Sequence, residues 1–305
     1  MAFERLLLRI RLAVYWLNAL AFPILGCGIA SAQGLPLEYY LKEGDKALAE
    51  ERFSRAQEIF FNAGRTRDLS ERLKVVEYLD KLGDEYDRQK DWEKAEFSFR
   101  NAGSFLETER GPDDLGVATI LRKLAVVYKN MGWHYILSES LFQRVLAIRE
   151  KALGLEHPDV ADSLVDLGLI LYFPGGRLNR AEPMFERALD IREKTLGPEH
   201  PKVGSSLHTF AFIRDFQGKF EEAESLYQRA LKIWEKSLGP NSSEVAGTLS
   251  SLATIYEIQR EFDKADSVWQ RYLLNLKARL GSNHHEFISE SERFSRRWWK
   301  TESKE

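Results

Sequence analysis

Cysteine is almost absent: the 305-residue chain holds one, Cys27. No disulfide can form within the chain, and thiol chemistry is confined to that one N-terminal position. Stability must come from packing. Basic charge is not in excess either, with a net charge of -3, and neither a broad basic face nor an RNA-binding signature occurs. The nucleic-acid-binding class is set aside on that ground. A nucleophile elbow, a phosphate-binding loop and metal-ligand spacing are missing too, so no catalytic residue, metal site or cofactor is expected. The six histidines do not assemble a site. His157 and His200 recur in a His-Pro turn, and His284-His285 occupies the matching turn with no spaced ligand after it.

Long apolar runs are confined to one place. Arg5, Arg9 and Arg11 precede a run from Leu12 to Ala30 interrupted only by Asn18, the pattern of an export signal. Ala30-Ser31-Ala32 supplies the small residues a signal peptidase needs, which favours cleavage before Gln33 and makes residues 1–32 the signal peptide. Two alternatives stay open. Ile24-Leu25-Gly26-Cys27 loosely resembles a bacterial lipobox in which Cys27 would be lipidated, although Leu25 stands where a small residue is usual. The run is also roughly 19 residues long, enough to span a bilayer uncleaved as a membrane tether. The remainder is expected to be exported, whether periplasmic, envelope-associated or secreted, and the lack of disulfides points to a bacterial host. Asn241-Ser242-Ser243 is a glycosylation sequon, relevant only in a eukaryotic one.

What is present is repetition. Leu-Gly occurs at Leu153-Gly154, Leu196-Gly197, Leu238-Gly239 and Leu280-Gly281, at intervals of 43, 42 and 42 residues. Arg-x-Leu recurs in the same register at Arg144, Arg187, Arg229 and Arg271. A fixed period of this size marks a tandem array. In the best copy Val160, Leu164, Leu167, Gly168 and Leu171 form the apolar stripe of one helix, and Ala181, Met184, Phe185, Ala188 and Leu189 that of a second. Phe173-Pro174-Gly175-Gly176 is the turn between them. Gly197-Pro198 ends the second helix. One first-helix position is always small: Gly44, Gly83, Ala125, Gly168, Ala211 and Ala253. Twelve or thirteen residues later lies a second: Ala56, Ala95, Ser138, Ala181, Ala223 and Ala265. Glycine recurring inside a helix implies close helix approach, and these anchors define six units.

This constellation resembles the tetratricopeptide repeat (TPR), and RALDIREKTLGPEHP with its 42-residue spacing looks like the kinesin-light-chain subclass. The resemblance is strong over 117–281, four repeats, and weaker over 36–105, two divergent ones. It implies an all-α, right-handed superhelical solenoid whose first helices line a concave groove that holds peptides, a scaffold rather than an enzyme. Where that subclass carries Asn-Asn three and two residues before the anchor, this chain has Arg122-Lys123, Val165-Asp166, His208-Thr209 and Ser250-Ser251. The departure falls on that family's polar peptide-backbone clamp.

Positions at -6, -3, +1 and +4 from the anchor share the face pointing away from the second helix. In the second unit all four are acidic: Glu77, Asp80, Asp84 and Asp87. Setting adjacent first helices side by side places Asp80 beside Arg122 and Asp87 beside Lys129, either as an inter-repeat ion-pair ladder or as an acidic pocket for a basic segment. No calcium-loop glycine and no histidine joins the aspartates, so no metal or acid–base site is expected there. Further along, the face becomes apolar through Val165, Leu169 and Tyr172, then His208 and Phe212. It is either a ligand surface or a face the coil buries itself. Over residues 282–305, Phe287, Ser291, Phe294 and Trp298 fall at helical spacing, as a cap on the open end of the array or as a docking helix.

The expected function is an exported scaffold holding a protein or peptide partner. The alternatives are a subunit, regulator or enzyme acting on an envelope polymer, and self-assembly through the array ends.

Overall fold

The computed structural model describes residues 36–65, 68–132, 134–172 and 177–302, with side chains as far as Ser295. The export signal, Cys27 and the 173–176 turn lie outside the described residues. Thirteen helices and no strand occur among the described residues. They come in pairs: α1 (Leu37–Ala49) with α2 (Phe53–Ala63), α3 (Leu69–Gln89) with α4 (Trp92–Arg110), and α5 (Leu115–Asn130) with α6 (Tyr135–Leu153). Then follow α7 (Pro158–Tyr172) with α8 (Leu178–Leu196), α9 (Pro201–Phe216) with α10 (Phe220–Ser237), α11 (Ser243–Ile258) with α12 (Phe262–Leu280), and α13 (His285–Glu302). None of the described helices is long and apolar enough to cross a membrane.

Local chemistry fixes where the helices begin and end. Asp68, Asp114 and Ser242 cap first helices, their side-chain oxygens accepting from backbone N–H groups of Ser70, Gly116 and Val245. His200 does the same for α9, with Nδ1 3.1 Å from the Lys202 amide, and His157 and His284 accept from Asp159 and Glu286. This is the structural role of the His-Pro turn. After each second helix from α4 onward, Gly111, Gly154, Gly197, Gly239 and Gly281 sit at φ between +84° and +90°, a backbone region that excludes a side chain without strain. Gly111 extends the turn one unit before the first Leu-Gly pair, because Arg110 stands where the others have leucine.

The twelve small positions are all buried. In the third unit the two anchors touch, Ser138 Oγ donating to the Ala125 carbonyl at 2.7 Å. The space beside a glycine anchor is filled by an aromatic ring four residues after the second anchor. A Cβ on Gly44, Gly83 or Gly168 would stand 2.6, 2.6 or 2.7 Å from the ring of Phe60, Phe99 or Phe185. Phe142, Tyr227 and Trp269 hold the same place in the other units, and all six rings are buried. Each contributes about 1.5–3 kcal/mol through burial.

Consecutive pairs are stitched on the second-helix side. The arginine of Arg-x-Leu reaches a glutamate on the preceding second helix: Arg144 to Glu107 at 2.8 Å, Arg187 to Glu150 at 2.6 Å, Arg229 to Glu193 and Arg271 to Glu235. At the C-terminal end, Phe287 and Phe294 of α13 pack on the cluster containing Trp269, Tyr272 and Leu276.

Candidate functional site

Ion pairs between neighbouring first helices set the register of the opposite wall. Lys123 on α5 donates to Asp80 Oδ1 and Asp84 Oδ2 on α3, both at 2.8 Å. Arg122 turns the other way, with Nε and Nη2 2.5 and 3.2 Å from the two carboxylate oxygens of Asp166 on α7. Each pair joins the position three before one anchor to the position two before the next. The expected partners, Asp80 with Arg122 and Asp87 with Lys129, do not meet. Successive helix pairs in a solenoid rotate relative to one another, so equal positions are offset by a residue.

The acidic face of α3 is therefore largely neutralised. Glu77 pairs with Lys81 one turn on at 2.7 Å, and Asp80 and Asp84 share Lys123. Burial opposes the Lys123 charge, but its hydrogen bonds to the two aspartates prevail and raise its pKa. Asp87 has no such partner among the described residues: burial first, then the Asp84 charge, hold its carboxyl above the usual value. Lys129 is exposed to solvent. On α7, Asp162 is bound by Arg192 at 2.5 Å and Lys202 at 3.1 Å, which hold it below the ordinary value against the opposing effect of burial.

The apolar stretch divides into buried and open parts. Val165 and Leu169 are half-buried against the cluster around Phe185. Tyr172 is buried, its ring edge-on to Phe212 at 6.4 Å and to Phe216 at 5.5 Å. His208 does not face the groove. Its ring lies 5.0 Å from that of Tyr227 and 5.4 Å from that of Trp234, both on α10, and burial lowers its pKa. The position three before the anchor borders the helix–helix seam, so a charged side chain there swings out to a partner while a neutral ring turns in.

Phe212 remains 37% exposed. Phe216, which the anchor rule passed over, is 75% exposed; its i+4 spacing from Phe212 is the signal that would have found it. Ile258, the matching position on α11, is 52% exposed. Among the described residues, no group of three or more histidine, cysteine or acidic side chains is placed to hold a metal ion.

Family models described as tetratricopeptide repeat match residues 117–159, 170–230 and 211–273. Residues 117–159 and 170–273 are tetratricopeptide repeats. The chain is similar to BtubC (BKLC) from P. vanneervenii, at 21% identity and a TM-score of 0.61, covering 82% of this chain and 94% of that one. It is also similar to the TPR-like repeats of a putative kinesin light chain from Podospora anserina, at 20% identity and TM-score 0.58, covering 68% and 97%. The apo quorum sensor NprR from B. thuringiensis aligns at 15% identity and TM-score 0.58 over 87% and 70%. A Rap protein complexed with Competence and Sporulation Factor aligns at 17% and 0.52 over 83% and 84%. No protein of curated function matches the sequence. At these identities the likeness carries the fold. In this TPR chain the two positions that bear Asn-Asn in kinesin light chains carry the ion pairs Asp80–Lys123 and Arg122–Asp166 instead.

Proposed function

We propose that the chain is an exported TPR scaffold that holds a protein or peptide partner along the wall formed by its first helices. The observation that carries this reading is the contrast along that wall. From α3 to α7 its polar side chains largely consume one another in ion pairs, whereas at α9 and α11 Phe212, Phe216 and Ile258 stand open to solvent. Exposed aromatic side chains in a contiguous strip are the usual mark of an interaction surface. The similar fold of the Rap protein complexed with Competence and Sporulation Factor supports the same use of the array. Export rests on the basic-then-apolar N-terminus and its Ala30-Ser31-Ala32 segment.

Affinity capture from the native envelope fraction, with mass spectrometry of bait and prey, tests both parts. A partner retained by the parent and lost from a Phe212→Ser/Phe216→Ser variant of unchanged helicity is the expected result. Equal capture by both proteins contradicts the groove reading, and a bait found in the cytosol with Met1 intact contradicts export.

A further inference from the structure

What the groove selects can be read from α9, provided the groove is the binding surface. Phe212, Asp215 and Phe216 are spaced i, i+3 and i+4, so they share one helix face. Tyr172 of α7 packs edge-on against both phenylalanines. Asp215 is half-buried, close enough to the Tyr172 and Tyr227 hydroxyls that its charge helps to raise their pKa values, and burial raises its own. None of the described cations forms an ion pair with it. On α3 and α7 four carboxylates facing neighbouring helices are matched, Asp80 and Asp84 by Lys123, Asp166 by Arg122 and Asp162 by Arg192 and Lys202. Asp87, at the repeat position on α3 that Asp215 holds on α9, also forms no ion pair among the described residues and is likewise raised by burial. A carboxylate drawn out of water without a counter-charge is unfavourable until a cation arrives. Aromatic faces around it attract the same cation.

We propose that Asp215, Phe212 and Phe216 form a subsite for a lysine or arginine side chain of a bound peptide segment, with an adjacent apolar residue seated along Phe216 and Ile258. Ile258 holds on α11 the position Phe216 holds on α9, so the apolar strip continues into the next repeat. Charge selects among occupants. An acidic segment is repelled by Asp215, and a purely apolar one buries that carboxylate further without pairing it.

A display library of random short peptides, panned in parallel on the 305-residue protein and on its Asp215→Asn variant, tests the subsite. The pool from the parent is expected to be rich in lysine or arginine beside leucine, methionine or an aromatic residue, and that enrichment should vanish on the variant. Selected peptides should bind about tenfold or more weakly to Asp215→Asn and to Phe216→Ser, and equally well to Leu274→Ser on the second helix α12. Peptides that need Phe216 but show no basic preference and ignore Asp215→Asn overturn the cation subsite while leaving the groove reading in place. No enrichment, or binding indifferent to both Asp215 and Phe216, overturns both. The melting temperature of Asp215→Asn should equal or exceed that of the parent, since the change removes a desolvated charge. A fall of several degrees would show that Asp215 already serves an internal partner, and the proposal would fail.

Discussion

A glycine inside a helix is destabilising by about 0.5–1 kcal/mol relative to alanine, and at Gly168 the ring of Phe185 occupies the space a side chain would take. Gly168→Leu therefore overpacks a closed seam. It should lower stability by about 1–3 kcal/mol, read as an earlier midpoint in urea; an unchanged midpoint contradicts the nesting of ring on glycine. His208 supplies a pH dependence. Its ring sits between Tyr227 and Trp234, and burial holds its pKa below the ordinary 6.5. As pH falls through that value the unfolded chain takes up the proton first, so the folded state loses stability on the acid side. His134 is shifted in the same direction, burial outweighing the nearby Glu96. His208→Gln should make the melting temperature less sensitive to pH between about 7 and 5, and an identical slope in parent and variant would refute the assignment. At the helix starts, His200→Ala removes the acceptor that caps α9 and should cost about 0.5–2 kcal/mol, while His200→Asp keeps an acceptor and much of the stability.

At the scale of the element, the five described turns within pairs each place a left-handed residue seven positions after the first anchor. At Gly132 and Gly218 that residue is glycine, whereas Glu51, Lys90 and Arg260 adopt φ of 58° to 62° with side chains attached. Arg260→Gly should relieve that conformation and stabilise the array by about 1 kcal/mol, with Gly197→Ala the opposite, a loss of more than about 1 kcal/mol; both are read by thermal melting. The Arg187–Glu150 contact and its relatives are partly exposed, so each contributes about 0–1 kcal/mol and serves spacing more than stability. Much of this level was legible in the chain, because Leu-Gly, His-Pro and the small anchors are local signals tied to single turns. Phe185 was legible in the apolar stripe of the best copy, whereas Phe60, Phe99, Phe142, Tyr227 and Trp269 share its period but change identity, which hid them behind the small residues they cover. The offset that gives Lys123 to Asp80 was not legible. It depends on the angle between stacked pairs, which no residue of the period encodes alone. Tyr172 and His208 followed their neighbours inward for the same reason: exposure on a curved wall is a property of the stack.

Over the whole molecule, the last repeat depends on α13 for cover, through Phe287 and Phe294. Deleting residues 286–305 uncovers the cluster around Trp269 and Tyr272 and should lower the melting temperature and promote aggregation; a deletion that melts like the parent would contradict the covering role of α13. The central claim is that the first-helix wall, and not the second-helix wall, receives a partner. It is tested most directly by placing a photo-crosslinking amino acid at Phe216 or at Leu274, which are 75% and 67% exposed on opposite walls, and irradiating the protein in its native host. The account predicts a discrete higher-mass adduct from position 216 and none from 274. Adducts of equal yield from both, or from 274 alone, would contradict it.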